Sequence, residues 1–295
     1  MQDLSINQDL THRFSDGRML SFRVYGQANG KPVFYFHGWP GSRLEGGLFH
    51  EAALQYGIQL IAPERPGYGC STAAPDYRLQ DWAADVGLLA DALKLGSFGV
   101  MGMSGGGPHA AAVISLLADR ITRCALVVPM GPMDAPGGLK HMLPHQRMMV
   151  WLAKRLPGLA RSLMYVPHWG VRLIPGWTLK IFMRMGLSAP DVATLTQVES
   201  DGTFMKSMQE ALRPGVDGIF GDGMRFLHPW NLDLGRITCP VHLWHGDADR
   251  IVPMPFGKQL ASQIPGCETT WLPGEGHFSV AMKYPPAFFA FLAGA

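Results

Sequence analysis

The 295-residue chain has little charge, few cysteines and no long apolar run. Charged residues make up 16% of it, and 25 Lys and Arg stand against 23 Asp and Glu, a formal net charge of +2. So even a balance gives no whole-chain argument for nucleic acid or for a membrane surface. The four cysteines (Cys70, Cys124, Cys239 and Cys267) are scattered with no C-x-x-C pair. They read as free thiols in a reducing compartment rather than a disulfide frame or a metal knuckle. No run approaches transmembrane length, and "MQDLSINQDLTHRF" lacks an apolar stretch of signal-peptide length. The expectation is a soluble, cytoplasmic protein with no stable membrane insertion.

Apolar residues are plentiful instead. At 47% hydrophobic the chain can bury a sizeable core, either one large α/β domain with an insertion or two small domains. "LTHRFSDGRMLSFRVYG" alternates around Asp16-Gly17, a hairpin signal. Short apolar runs follow: "PVFYFHG", "IQLIAPE", "FGVMGM", "RCALVVPM", "VHLWHGD" and "ETTWLPG". Most are separated by helix-like stretches, such as the one in which Leu79, Trp82, Ala83, Val86, Leu89 and Leu93 recur at helical spacing before Gly96. This alternation predicts a doubly wound, mostly parallel eight-stranded sheet opened by an antiparallel hairpin.

The rhythm breaks between residues 131 and 230, where no strand is evident and ten of the 17 methionines fall. This stretch reads as a helical lid inserted after the sixth strand, dividing a core of residues 1–130 and 231–295. Its methionines suit an adaptable surface for irregular apolar ligands, or simply the filling of its own core. Its Arg147, Lys154, Arg155, Arg161, Arg172, Lys180 and Arg184 read as a solvated face.

One stretch points to chemistry. In "FGVMGMSGGGPHAAAV", a buried-strand pattern at Phe98–Met103 meets a helix pattern at Gly107–Ala118 across about three residues. A turn so tight strains its middle residue and needs neighbours without Cβ atoms. Gly102-Met103-Ser104-Gly105-Gly106 fits G-x-S-x-G, the nucleophile elbow, in the strand–turn–helix context that motif requires. The hydroxyl of Ser104 is expected to project into solvent above a helix N-terminus. A phosphate cradle is disfavoured, because no Lys-Ser or Lys-Thr follows and no G-x-G-x-x-G is present.

Ligands of an open α/β sheet sit at the carboxyl ends of its strands. Polar residues there are His37 in "FHGWPG", Asp247 and Asp249 in "HGDADRIVP", and His277 in "PGEGHFS". His242 and His245 lie three apart on a strand, on opposite faces, a poor metal pair.

Taken in order, His37-Gly38, Arg65-Pro66-Gly67-Tyr68-Gly69-Cys70-Ser71, the Ser104 elbow, Gly246-Asp247-Ala248-Asp249 with Val252-Pro253, and Gly276-His277 resemble a lidded serine hydrolase of the α/β-hydrolase fold. That group includes esterases, lactonases, carbon–carbon bond hydrolases and haloperoxidase-like enzymes. The resemblance covers the core but not the insertion. It implies Ser104 as nucleophile, His277 as base and Asp249 as the acid that orients it, with Asp247 bonding the turn. Some lidded relatives carry the acid after the sixth strand, where Asp134 lies. The oxyanion hole it implies is made by the main-chain N–H groups of Trp39 and Gly105, since Pro40 has none. His37 and Gly38 would brace that loop, and His109 would be a helix residue. The chain departs from the family in having Glu64-Arg65 before Pro-Gly-x-G, a position usually outside the chemistry.

The leading expectation is a hydrolase without metal or cofactor that acts on an ester, thioester or similar acyl bond of a small to medium hydrophobic molecule. A serine at the elbow argues against epoxide hydrolases and haloalkane dehalogenases, which need aspartate there, and Gly105 argues against the G-x-S-W-G of proline-specific peptidases. An acyltransferase, carbon–carbon bond hydrolase or perhydrolase would use the same residues. A receptor that kept the pocket is the non-enzymatic alternative.

Overall fold

The computed structural model describes residues 5–133, 138–173, 186–198 and 202–295. Its eight strands are β1 (Asp9–Arg13), β2 (Met19–Gly26), β3 (Lys31–Phe36), β4 (Ile58–Pro63), β5 (Phe98–Met103), β6 (Ile121–Val127), β7 (Val241–Gly246) and β8 (Glu268–Leu272). They form one sheet in the order β1-β2-β4-β3-β5-β6-β7-β8. The β1–β2 pairing is antiparallel, as the hairpin at Asp16-Gly17 demands, the β2–β4 pairing is antiparallel too, and the others are parallel.

The central strand β5 is apolar and buried at every position because both of its faces are covered. Side chains alternate between two cores. Phe34, Phe36, Val100 and Leu126 enter one layer with Trp82 and Leu89 of α2 (Leu79–Ala92) and Ala111 of α3 (Gly107–Leu116). Val33, Tyr35, Met101 and Val127 enter the opposite layer with Phe49, Phe288 and Phe289. The edge of Trp82 meets Phe36 at 5.2 Å, and Phe98 meets Phe34 at 4.9 Å. Each such ring buries roughly 150–250 Å² and adds about 0.5–1.5 kcal/mol through its aromatic contact.

Two helix ends differ from the reading of the sequence. Helix α2 stops at Ala92, and Lys94, not Gly96, takes the left-handed conformation, at φ +57°. The N–H groups of Lys94 and Leu95 close this end on the carbonyls of Asp91 and Ala90. Helix α3 stops at Leu116 rather than Ala118 and is followed by a tight turn at Ala118–Arg120.

Between β6 and β7 the described residues form helices and no strand: α4 (Pro144–Arg155), α5 (Pro157–Leu163), α6 (Tyr165–Leu173), α7 (Ala189–Val198), α8 (Thr203–Ala211) and α9 (Asp217–Leu227). Buried polar contacts fasten this segment to the sheet. Arg43 donates to Asp9, to Glu64 and to Glu210 of α8. Met133 is buried, while Met142, Met164, Met205, Met208 and Met224 are partly buried against apolar clusters. Most of the described methionines of this segment therefore pack in apolar clusters shared with residues outside it, such as Tyr68, Val252 and Phe256. Lys180 and Arg184 lie outside the described residues.

Candidate active site

Strand β5 ends at Met103 and α3 begins at Gly107, so Ser104 occupies a three-residue turn with φ +54°. A left-handed conformation at a non-glycine residue is strained and is held only by its surroundings. Here they are close. A Cβ at Gly106 would lie 2.0 Å from the Phe36 carbonyl oxygen, and one at Gly102 would lie 2.6 Å from Ala110 Cβ. Both positions need glycine so that strand, turn and helix can meet.

Ser104 does not project into open solvent. Only 6% of it is exposed, and it lines a cleft of 320 Å³ together with His277. The other walls include Trp39, Glu45, Phe204, Met208 and Ile251. Side chains from the β6–β7 insertion form part of these walls and reduce the exposure of the elbow. A larger cleft of 640 Å³ opens between the Pro66–Gln80 loop and Asp217–Asn231. It contains none of Ser104, Asp249 and His277.

His277 begins the helix α11 (Met254–Gln263 being α10 and His277–Lys283 α11). Its Nδ1 lies 2.7 Å from Asp249 Oδ2. The other carboxylate oxygen of Asp249 accepts the N–H groups of Ile251 and Val252, each at 2.8 Å, which fixes its orientation. Asp247 instead accepts the N–H of Gly274 at 2.7 Å. The structure thus sets Asp249 against His277 and Asp247 against the turn. Asp134 lies outside the described residues.

Electrostatics separates the pair. Burial favours the neutral acid at Asp249, but the His277 charge and the hydrogen bonds of His245 and His277 outweigh it and hold the carboxyl far below the usual range. Burial likewise pulls His277 down. The charge and hydrogen bond of Asp249 overcome that, with smaller help from Asp191 and Glu45, and the imidazole is pushed up from 6.5.

Trp39 and Gly105 come together across the cleft. A Cβ at Gly105 would stand 2.5 Å from Trp39 Cβ and 3.2 Å from its main-chain nitrogen. Neither N–H donates to another group among the described residues. The Trp39 indole turns to the insertion and donates to the Ile219 carbonyl at 2.8 Å. His37 is buried, its Nδ1 3.0 Å from the Gly38 carbonyl oxygen, and burial pushes its pKa well down. The imidazole is neutral at ordinary pH. His109 is a buried helix residue whose Nδ1 lies 3.0 Å from the Gly105 carbonyl oxygen.

Several site residues escape a linear reading. Arg65, in the Glu64-Arg65 departure, is fully buried and donates to the carbonyls of His37 and Gly38 at 2.6 and 2.8 Å and to Asp222 at 2.6 Å. It holds the loop that presents Trp39. Glu45 accepts the Gly38 N–H at 2.8 Å and also bonds Tyr35. His245 lies behind Asp249, its Nε2 3.4 Å from Oδ2. Asp191 of α7 accepts the main-chain N–H groups of His277 and Ser279 at 3.0 and 2.9 Å. Its only sequence signal is a Ser-x-x-Asp pattern at Ser188, which reads as an ordinary helix start. His242 stacks on Trp244 at 3.9 Å, on a different contact from His245. The one group of possible metal ligands among the described residues, Glu64, Cys70 and Glu210, is already bridged by Arg43.

The model of the Alpha/beta hydrolase family matches residues 33–291, a span that holds the elbow, the acid loop and the histidine loop. The chain belongs to the α/β-hydrolase family. Among curated proteins it is 27% identical to a non-heme chloroperoxidase of Streptomyces lividans, over 85% of this chain and 86% of that protein. It is 23% identical to a bifunctional esterase/perhydrolase of Acinetobacter calcoaceticus, over 89% and 90%. Among solved structures, a bromoperoxidase from Bacillus anthracis superposes with a TM-score of 0.73 at 22% identity, over 97% of this chain and 99% of that one. The α/β-hydrolase fold and its enzymatic character are thereby established for this chain. In keeping with that fold, no described helix is long and apolar enough to cross a membrane.

Proposed function

We propose that this α/β hydrolase cleaves a carboxylic ester or related acyl bond through an acyl-enzyme on Ser104. The observation that carries the reading is the 2.7 Å contact of Asp249 with His277, which lines the cleft together with the strained Ser104. With Nδ1 engaged by Asp249, Nε2 is the nitrogen left to take the Ser104 proton. Ser104 Oγ then bonds to the substrate's carbonyl carbon. The oxygen of that carbonyl gains negative charge, which the N–H groups of Gly105 and Trp39 would stabilise. On collapse, His277 returns the proton to the leaving oxygen. Water repeats the sequence on the acyl-enzyme and frees the acid.

A cleft of 320 Å³ lined by Phe204, Met208 and Ile251 suits a small to medium apolar acyl group. Residues 131–230 would act as the lid over a core of residues 1–130 and 231–295. A small-molecule acyl ester is the partner this requires. A second reading rests on the Acinetobacter relative named for both esterase and perhydrolase activity. In it, hydrogen peroxide replaces water at the acyl-enzyme, giving a peracid and free Ser104.

Intact-mass spectrometry after fluorophosphonate treatment tests the reading, together with turnover of p-nitrophenyl esters of rising chain length. A single adduct that Ser104→Ala abolishes, with turnover of one ester class, supports it. Folded protein that neither labels nor turns over an ester overturns it.

A further inference from the structure

The near-neutral charge of the whole chain hides a strong asymmetry. Residues 135–190 contain eight Lys and Arg and no Asp or Glu, while the rest of the chain has 17 basic residues against 23 acidic. Exposed apolar side chains collect in the same stretch. Seven of the eleven large exposed hydrophobics among the described residues fall between Met148 and Trp169, so their placement is not a scatter of single residues.

Helix α4 shows how the two features combine. At 3.6 residues per turn, Arg147, Met148, Trp151, Lys154 and Arg155 share an arc of about 120°. All five are exposed, Met148 at 61% and Trp151 at 57%. On the other side Val150 is buried in a cluster with Phe226 and Val252. Arg147, Lys154 and Arg155 meet no carboxylate among the described residues, whereas Arg161 is paired with Asp217. Helix α5 packs on α4 and carries the exposed Leu159 and Leu163, and α6 packs on α5 and carries Val166, 70% exposed.

We propose that the outward face of α4 to α6 adsorbs to an anionic lipid surface. Tryptophan, methionine and leucine interleaved with cations, and without acidic residues, let a helix lie in the lipid–water boundary while its charges meet the headgroups. A second copy of the same face would oppose like charges across a two-fold axis, which disfavours self-association there. His145 and Gln146, in the first turn of α4, line the cleft that holds Ser104. Adsorption would set the mouth of that cleft beside the boundary where apolar esters concentrate. The adsorption itself does not depend on the chemistry at Ser104.

The test is sedimentation of the full chain with sucrose-loaded vesicles, of phosphatidylcholine alone or with about one-third phosphatidylglycerol. Binding to the anionic vesicles and release by high salt are expected. Combining Arg147→Glu, Lys154→Glu and Arg155→Glu should lower partitioning on the order of 100-fold. Combining Met148→Ser and Trp151→Ser should lower it at least about tenfold. Unchanged circular dichroism shows that these surface variants fold. No sedimentation with anionic vesicles, equal sedimentation with neutral ones, or full binding by the glutamate variant overturns the proposal. So does light scattering that finds a dimer which Trp151→Ser dissociates.

Discussion

Asp191 Oδ2 accepts the main-chain N–H of His277 at 3.0 Å, across 86 residues of sequence. Its Oδ1 takes the N–H of Ser279 at 2.9 Å, and Ser188 Oγ donates to Oδ2 at 2.7 Å. A carboxylate from the β6–β7 insertion thus caps the helix that begins with His277, and its charge helps raise that imidazole's pKa. Space for a side chain at Gly276 is absent, since a Cβ there would lie 2.3 Å from Asp191 Oδ2.

Replacing Asp191 by asparagine keeps the size but removes the charge, and its amide would face one of the two donors. Stability should fall by about 1–3 kcal/mol. The acid limb of kcat/KM for an ester should move to lower pH, because His277 loses one of the charges that favour its protonated form. Thermal unfolding and a pH–rate profile measure the two effects. A profile that does not move would mean Asp191 serves the fold alone.

The wild-type profile follows from the same electrostatics. As a base His277 must be neutral, and its pKa is raised above 6.5, so kcat/KM should be half-maximal above pH 6.5 and fall on acidification. Stability runs the other way. The pairing contributes fully below pH 6.5, and His277's share is lost as pH rises through its folded value. Asp249, held far below 3.8, contributes above that value, and its share is lost only as pH falls toward its own folded pKa. Ester kinetics between pH 5 and 9 check the first statement. A half-maximum below 6.5 contradicts it.

Gly105→Ala places a Cβ 2.5 Å from Trp39 Cβ, an atom fixed to the backbone rather than the end of a flexible chain. The two loops must part, and both proposed oxyanion donors move. A loss of about 10²–10³-fold in kcat is expected, the size seen when one such donor is removed. Ester kinetics on protein with a wild-type circular dichroism spectrum measures it. Retention of full activity would exclude these amides from the site.

Arg65→Met should destabilise the protein by about 3 kcal/mol. It leaves the buried Asp222 with Tyr68, His109 and Arg225 as partners but without the guanidinium that does most to hold its carboxyl well below 3.8. It also strips donors from the carbonyls of His37 and Gly38. Urea unfolding gives the value, and a change under about 1 kcal/mol would show that the remaining partners suffice.

What the sequence determined by itself is what short-range physics controls. Alternation on either side of Asp16-Gly17 sets a hairpin, and apolar runs such as Phe98–Met103 set strands buried on both faces. Glycines packed around Ser104 set a strained turn between strand and helix, because only that local geometry requires them. The strand-end positions of Asp249 and His277 were legible for the same reason. Tertiary structure alone decided the rest. It turned Ser104 from an open corner into a cleft wall, because side chains a hundred residues later, Phe204 and Met208, line the same cleft. Asp191, Arg65 and Glu45 gained their partners the same way: a buried charge must be met by whichever donors the fold brings within about 3 Å, and no local periodicity encodes that meeting. The cationic run of α4 could be counted along the chain, but only packing, by burying Val150 and leaving Trp151 outside, decided which face it shares with water.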